Sequence, residues 1–388
     1  MLDCTAGQAA SQLAWFTLQH TTLEAQGKPR YGPTSCNSNA RWMAALRDMD
    51  IDALVACHAR ASAAGTGDDS SCRITRRAIN VGANKGYLAA SLVAFFKPFQ
   101  TGVSVRTLRH YLAGVDTNPH ISRCGVCQDC REPSVPVDLP AVHARLGHGA
   151  AAADAAWLDA RMALSVYEVE PTPSNMAILR GFAAAARATG TLLPLQYAVS
   201  NVTGVGAFPD GGGGDERGSL AELRAEAGGG FAMVNVTTVD ALMREHVDPA
   251  GEWVLDLLLL DTEGYDPAAL AGAGGTLRTT RLLMLEYHFA GLWGGERTLA
   301  RTVSELAEQG FDCYLAWGDQ LVRLTGCWRP ELEIQWWSNV LCANRRDAGV
   351  ADAVARLATK WQAPVAEPPP PPQTYVWEMM DNEAPAPF

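Results

Sequence analysis

The chain has 388 residues, of which 48% are hydrophobic, and its formal net charge at pH 7 is -11. A chain of this size can bury a large core and form one large domain with additions, or two domains. Its acidic surface would repel a phosphate backbone, which argues against nucleic acid as the main partner.

No apolar run reaches the roughly 20 residues that a transmembrane helix needs, so we expect no transmembrane segment. No basic stretch followed by an apolar core is visible at the N-terminus, so no signal peptide is expected. The ten cysteines exceed what a cytosolic enzyme needs but are too dilute for a disulfide scaffold. The sequence does not identify the compartment of the protein. It slightly favours the cytoplasm, with the secretory pathway as the alternative.

The first part of the chain has helical periodicity. Apolar residues at three- and four-residue spacing predict helices over residues 9–18 and 42–58. Polar, glycine-containing stretches over 27–39 and 61–71 predict loops. We interpret residues 1–72 as a helical extension packed on the main domain.

The stretch over residues 78–88 combines an apolar strand, a glycine turn and the start of an apolar helix. Gly82 and Gly86 let the backbone turn sharply and let a ligand approach the main chain closely. The free N–H groups of the helix would point at that ligand. This pattern is typical of the nucleotide-binding corner of a doubly wound α/β fold, and Pro98 ends the helix.

Residues 97–157 interrupt the alternation of strands and helices and are interpreted as an insertion. They contain Cys124, Cys127 and Cys130 at two-residue spacing, which suits zinc ligation by thiolates. The cluster holds only three cysteines and no second pair follows, so disulfides or free thiols remain the alternatives.

The rest of the chain returns to alternating elements. Strands are predicted at 162–169, 192–198, 234–239, 253–260, 282–285 and 339–343, with a hairpin over 311–324, a mobile glycine-rich loop over 208–230 and a helix from 173 to a stop at Gly190. The central domain therefore covers residues 73–345. Residues 346–388 are interpreted as a C-terminal helix and a proline-rich tail that offers a protein contact.

Polar residues follow the ends of the predicted central strands. In open α/β sheets, ligands bind outside the carboxyl ends of the strands, so these side chains should converge on one crevice. They are Asn80, Asn84, Glu170, Ser200, Asp261, Glu263, Glu286 and His288.

Three of these positions have a specific interpretation. Glu170 can accept hydrogen bonds from the ribose hydroxyls of an adenine nucleoside. Glu168, on the same face of the strand, is the competing candidate for this contact. Alternatively, Glu170 is only a solvated carboxylate at the edge of the sheet. Asp261 should be partly desolvated and act as an acid or base, hold a metal with Glu286 or His288, or only cap a turn. His288 is the best base by residue type, or a buried core histidine.

The motifs in this order resemble the FkbM family of S-adenosylmethionine-dependent methyltransferases, over roughly residues 74–345. They read Asn-Val-Gly-Ala-Asn-x-Gly, Glu-Pro-x-Pro, Ala-Val-Ser-Asn, Val-Thr-Thr-Val-Asp, Asp-x-Glu-Gly and Glu-x-His. The resemblance implies a Rossmann-like, doubly wound, mostly parallel α/β sheet of seven strands. It also implies methyl transfer to a sugar or another hydroxyl oxygen, so the partner would be a small-molecule or glycan acceptor.

The same resemblance assigns roles to residues. Gly82, Asn84 and Gly86 would surround the methionine end of the cofactor, Glu170 would hold the ribose, Ser200 would lie near the adenine, and Asp261 and Glu263 would face the methyl group. Asn80 stands where the family usually has Asp, and Leu259-Leu260 stand where it often has Lys.

Two other functions are weighed against methyl transfer. A non-catalytic scaffold or binding protein that kept the fold is favoured by Asn80 and the missing lysine. A nicotinamide-dependent dehydrogenase is disfavoured because the turn lacks the Gly-x-Gly-x-x-Gly spacing.

Overall fold

Continuous apolar runs form the central strands, because both faces of these strands are covered by helices. The computed structural model describes residues 39–65, 69–100, 102–115, 137–146, 151–210, 212–213, 230–251, 254–288, 291–317, 320–333 and 338–359. Within these ranges the strands are β1 Ile74–Val81, β2 Met162–Val169, β3 Leu192–Leu195, β4 Ala198–Val199, β5 Gly204–Asp210, β6 Gly230–Thr237, β7 Leu255–Leu260, β8 Thr280–Tyr287, β9 Phe311–Trp317, β10 Gln320–Arg323 and β11 Ser338–Asn344.

Helices follow or precede most of these strands. They are α1 Asn39–Ala63, α2 Tyr87–Phe96, α3 Val105–Val115, α4 Leu139–Leu146, α5 Ala151–Arg161, α6 Pro173–Ala185, α7 Val239–Leu242, α8 Asp266–Ala271, α9 Gly274–Leu277, α10 Leu299–Glu308 and α11 Ala348–Thr359. A π-helical turn, Met243–Val247, continues α7, and a 3₁₀ turn covers Pro330–Leu332. None of the described helices is long and apolar enough to cross a membrane.

The main sheet has the strand order β10-β9-β11-β8-β7-β1-β2-β3. Neighbours from β8 to β3 are parallel, whereas β11 runs antiparallel to β8 and to β9. The mostly parallel α/β sheet was predicted, but it has eight strands and not seven, because the predicted hairpin places both β9 and β10 in it. The order reverses between β1 and β7, which is where ligands bind in open α/β sheets.

The third predicted strand is broken into two pieces. β3 ends at Leu195 as the edge strand beside β2, and β4 belongs to a second sheet with the order β4-β6-β5. Pro194 lacks an N–H group, and proline is confined to edge strands, so the ladder of β3 stays short. The segment predicted as a loop from residue 208 starts inside β5, whose glycines and proline hid the strand from a propensity argument.

Three helix boundaries also differ from the prediction. α1 begins before residue 42 and continues into the loop predicted from residue 61. α6 stops at Ala185, because Arg187 adopts a left-handed backbone (φ 52°) before Gly190 is reached. The helix predicted over residues 9–18, the three clustered cysteines and the proline-rich tail lie outside the described residues.

Helices cover both faces of the main sheet. One face packs Trp42 of α1 with Leu92 of α2, Leu108 of α3 and Val354 of α11. The other face packs side chains of α7, α9 and α10, among them Leu242, Leu277 and Val303. α1 is therefore part of the same core as the sheet, and the extension predicted at residues 1–72 contributes to that core.

Two disulfides lie in the described part of the chain. Cys57–Cys72 links α1 to the segment before β1, and Cys313–Cys342 links the neighbouring strands β9 and β11.

Candidate active site

The turn between β1 and α2 is held against two neighbouring strands. The N–H groups of Gly82 and Ala83 donate to the carbonyl of Val169 at 2.9 and 3.1 Å. Gly82 has φ +80°, and a Cβ there would overlap the carbonyl oxygen of Asp261. Gly82 is thus required by the close approach of β7, whereas the sequence had suggested the approach of a ligand.

Asn84 and Glu170 connect the turn to the end of β2. The carboxylate of Glu170 accepts hydrogen bonds from the backbone N–H of Asn84 (2.9 Å) and from the N–H (3.0 Å) and hydroxyl (2.6 Å) of Thr172. Burial raises the pKa of Glu170, and these hydrogen bonds oppose the rise. Glu170 therefore fixes the left-handed conformation of Asn84 (φ 50°), and the structure places it beside the turn as predicted.

The side chain of Asn84 has a polar atom that makes no hydrogen bond within the described part of the chain. Its Oδ1 atom is buried and has no hydrogen-bond partner among the described residues. A buried acceptor that lacks a donor costs free energy unless a ligand supplies one. This oxygen is therefore a candidate contact for a hydrogen-bond donor bound at the turn.

Asn80 and Glu168 are register partners in β1 and β2, and each is at most 2% exposed. Oε1 of Glu168 lies 3.0 Å from where a Cβ of Gly86 would be, and Oε2 has no hydrogen-bond partner among the described residues. Desolvation by burial raises the pKa of Glu168 to about 8. Glu168 thus lies beneath the turn, beside Asn80 of the neighbouring strand.

Ser200 lies at the end of β4 and not at an end of the main sheet. Its N–H donates to the carbonyl of Thr237 at 2.8 Å, and its hydroxyl contacts Oδ1 of Asn201 at 3.1 Å. Gly272 passes so close that a Cβ there would overlap the carbonyl of Ser200. Ser200 is therefore positioned by the second sheet.

The ends of β7 and β8 bring four further predicted residues together. Asp261 is exposed, which contradicts the expectation that it is desolvated, because it already lies outside the last residue of β7. Glu263 has an unusual left-handed backbone, with φ 52°. His288 is fully buried, and its Nε2 lies 3.3 Å from Oε2 of Glu286.

The electrostatics of this second group are dominated by carboxyls. Burial, then the charges of Glu263 and Asp266, raise the pKa of Glu286 well above its usual value, while a hydrogen bond with Asp261 lowers it. Burial lowers the pKa of His288, against the charge of Asp266. The imidazole is therefore neutral at pH 7 and can accept a proton.

Asp266 is a residue that sequence reasoning missed as part of the site. It is fully buried, accepts a hydrogen bond from the hydroxyl of Thr262 at 2.8 Å and receives the backbone N–H of Glu286 at 3.3 Å. The Asp-Pro pair had been interpreted only as a helix start. Asp266 lies three residues after Glu263, on a turn that faces the next strand, and this position could have indicated that it belongs to the site.

Comparison with known proteins finds one family model that matches part of the chain. Residues 149–313 match the model of the methyltransferase FkbM domain. This match confirms the resemblance that the motifs suggested. No curated protein matches the chain.

Two solved structures are similar to the chain. One is Methyltransferase FkbM from Methylobacillus flagellatus KT, with 9% identity and a TM-score of 0.34, covering 70% of this chain and 44% of that chain. The chain thus spans less than half the length of that protein. The other is an uncharacterized ACR superfamily protein from Burkholderia thailandensis, with 12% identity and a TM-score of 0.19, covering 91% of this chain and 78% of that chain.

Proposed function

We propose that this chain, whose residues 149–313 match an FkbM methyltransferase domain, is an S-adenosylmethionine-dependent methyltransferase. Its acceptor is a hydroxyl oxygen of a sugar or another small molecule or glycan. The observation that carries the proposal is the position of the polar strand ends. The turn after β1 and the carboxylates after β7 flank the point where the strand order reverses, which is where a nucleotide-like ligand binds.

The residues at the turn fit the cofactor. The unused Oδ1 atom of Asn84 can accept a hydrogen bond from the ammonium group of its methionine end. Glu170 follows β2 and accepts a hydrogen bond from that turn, and it is the proposed contact for the ribose hydroxyls. Asn80, Gly82 and Gly86 shape the same corner, and Ser200 is the proposed neighbour of the adenine.

Catalysis needs an oriented hydroxyl and a group that takes its proton. When bound, S-adenosylmethionine supplies an electrophilic methyl group on a sulfonium cation. Asp261 is exposed to the crevice and His288 is neutral because burial lowers its pKa, so each can accept the hydroxyl proton. Glu263 adds negative charge that favours the cationic sulfonium.

Calorimetric titration of the full chain with S-adenosylmethionine tests the proposal. We expect one molecule to bind in the micromolar range, and the absence of binding at millimolar ligand would rule out the enzyme. Asn84→Gly keeps the left-handed backbone and removes the amide oxygen. It should weaken binding at least tenfold, since a hydrogen bond to a charged group is worth about 1.5–3 kcal/mol. Arg187→Gly, at an exposed residue with φ 52°, is the matched control and should leave affinity unchanged.

A non-catalytic binding protein with the same fold is the second candidate. Asn80 favours it, because an amide replaces the acid that the family usually places there. The same titration distinguishes the two functions, since a scaffold that lost its cofactor site would not bind S-adenosylmethionine.

A further inference from the structure

Two carboxyl groups and one imidazole meet at the carboxyl ends of β7 and β8. One donor atom each from Glu263, Glu286 and His288 lies within 4.8 Å of the other two. Glu286 and His288 are buried, and Glu263 is half-buried. Among the described residues this is the group that brings together two carboxylates and an imidazole.

Glu286 supplies an independent sign that something is bound between them. The residue is only 9% exposed, and its Oε2 atom is buried without a hydrogen bond from any described residue. That oxygen lies 3.3 Å from Nε2 of His288, so it points into the group and away from solvent. A buried carboxylate oxygen needs a cation or a donor to offset its desolvation.

Asp266 holds the two sides of this group in place. One of its carboxylate oxygens binds the hydroxyl of Thr262, next to Glu263, at 2.8 Å. The other receives the backbone N–H of Glu286 at 3.3 Å. The ends of β7 and β8 are thus tied through one fully buried side chain, which is how metal ligands are commonly positioned.

We propose that Glu263, Glu286 and His288 bind a divalent first-row transition-metal ion. Carboxylates suit Mn²⁺ and imidazole suits Zn²⁺ and Fe²⁺, so a mixed set selects this class over Mg²⁺ or Ca²⁺. Metal–ligand distances of about 2.1 Å put two ligand atoms at most about 4.2 Å apart. The three donor atoms therefore need only a small inward movement to meet one ion.

The role of the ion rests on the proposed function. Three protein ligands leave coordination positions open, and the acceptor hydroxyl oxygen is the ligand that the crevice offers. A metal-bound hydroxyl is oriented and loses its proton more easily. His288 is then a metal ligand, and the exposed carboxylate of Asp261 is the proton acceptor.

Manganese binding by the full chain, after treatment with a chelator, tests the site. Titration with Mn²⁺ followed by electron paramagnetic resonance should show one bound ion, and electron spin-echo modulation should show coupling to one imidazole nitrogen. His288→Gln should abolish the nitrogen coupling, and Glu263→Gln, at a half-buried residue that tolerates change, should weaken Mn²⁺ binding at least tenfold. Glu305→Gln on the exposed face of α10 and His110→Gln on α3 should leave both unchanged.

The outcomes separate this inference from the proposed function. If the wild-type chain binds S-adenosylmethionine but not millimolar Mn²⁺, or binds Mn²⁺ without nitrogen coupling, the metal site is wrong and the methyltransferase stands. If it binds Mn²⁺ as expected but not S-adenosylmethionine, the metal site stands alone. The nitrogen coupling is measured on the wild type, so the test holds even if a variant fails to fold.

Discussion

Glu168 is surrounded by apolar groups and by the backbone of the glycine turn, so the protein keeps its carboxyl protonated to a higher pH than the unfolded chain does. Its pKa rises from 4.5 to about 8 because of burial. Between these two values the folded state holds a proton that the unfolded state has lost. The contribution of Glu168 to stability is therefore fully present below pH 4.5 and is lost as the pH rises towards 8.

We expect Glu168→Gln to remove this pH dependence. The wild-type free energy of unfolding should fall by up to about 1.4 kcal/mol per pH unit through Glu168 between pH 5 and 8, and the variant should lack this component. Urea unfolding at several pH values measures the slope. Glu305→Gln, on the surface, should keep the wild-type slope, and an equal slope in Glu168→Gln would contradict the assignment.

Gly82 allows a second test at the level of one residue. Gly82→Ala should destabilise the protein by at least about 3 kcal/mol, because the new methyl group overlaps the carbonyl of Asp261 and the backbone is left-handed. Gly251 has φ +71° with nothing within 4 Å of a Cβ. Gly251→Ala should therefore cost only the backbone strain of about 1–2 kcal/mol. Similar losses in both variants, measured by denaturant unfolding, would show that the overlap is relieved elsewhere.

Apolar strands were the elements that the sequence predicted best. The four leucines of β7 mark a strand that is packed on both faces, and the alternation in β2 marks a strand with one more accessible face, so hydrophobicity alone identifies both. β5 was missed because it lies in a small sheet whose outer face is exposed, as Val205 is, and its stability comes from pairing with β6. Local propensity contains no information on that pairing.

The sequence predicted which candidate side chains follow the strands, but it did not predict what surrounds them. Strand ends identified Glu170, Asp261 and His288, because the carboxyl ends of parallel strands meet at one edge. Exposure of Asp261 and burial of Glu168 depend on the register between strands and on the turn above them. These are long-range properties, so the residue order along one strand could not reveal them.

The link between α1 and β1 can be tested through its disulfide. Cys57 and Cys72 are 15 residues apart, and a loop of this length closed by a disulfide stabilises a protein by about 3 kcal/mol. Replacing both with serine should lower the free energy of unfolding by that amount under oxidising conditions. The double variant and the wild type should become equally stable once the bridge is reduced, and a persistent gap would point to packing at these positions.

Over the whole molecule, the N-terminal helix and the sheet form one unit through buried charges. Arg76 of β1 pairs with Asp50 of α1 and with Asp256 of β7. The side chains of Arg76, Asp50 and Asp256 are only 10%, 3% and 11% exposed. Residues before β1 are therefore required for the stability of the sheet.

Arg76→Met should cost about 3–5 kcal/mol, because it removes the cation paired with the buried carboxylate of Asp50, whereas Asp256 keeps its ion pair with Arg281. Arg145→Met is the control, since Arg145 pairs with Asp52 at the surface and an exposed pair is worth at most about 1 kcal/mol. Thermal unfolding of both variants measures the difference. Equal effects would mean that α1 is held by its apolar face alone.

The neighbours of β1 also determine when the crevice can appear during protein synthesis. β1 lies between β2, the next strand along the chain, and β7, which leaves the ribosome much later. Until β7 and β8 have emerged from the ribosome, no strand packs against the other side of the glycine turn. The apolar edge of β1 can then pair with other chains. Nascent chains that stop before His288 are therefore expected to need chaperones and to bind no cofactor.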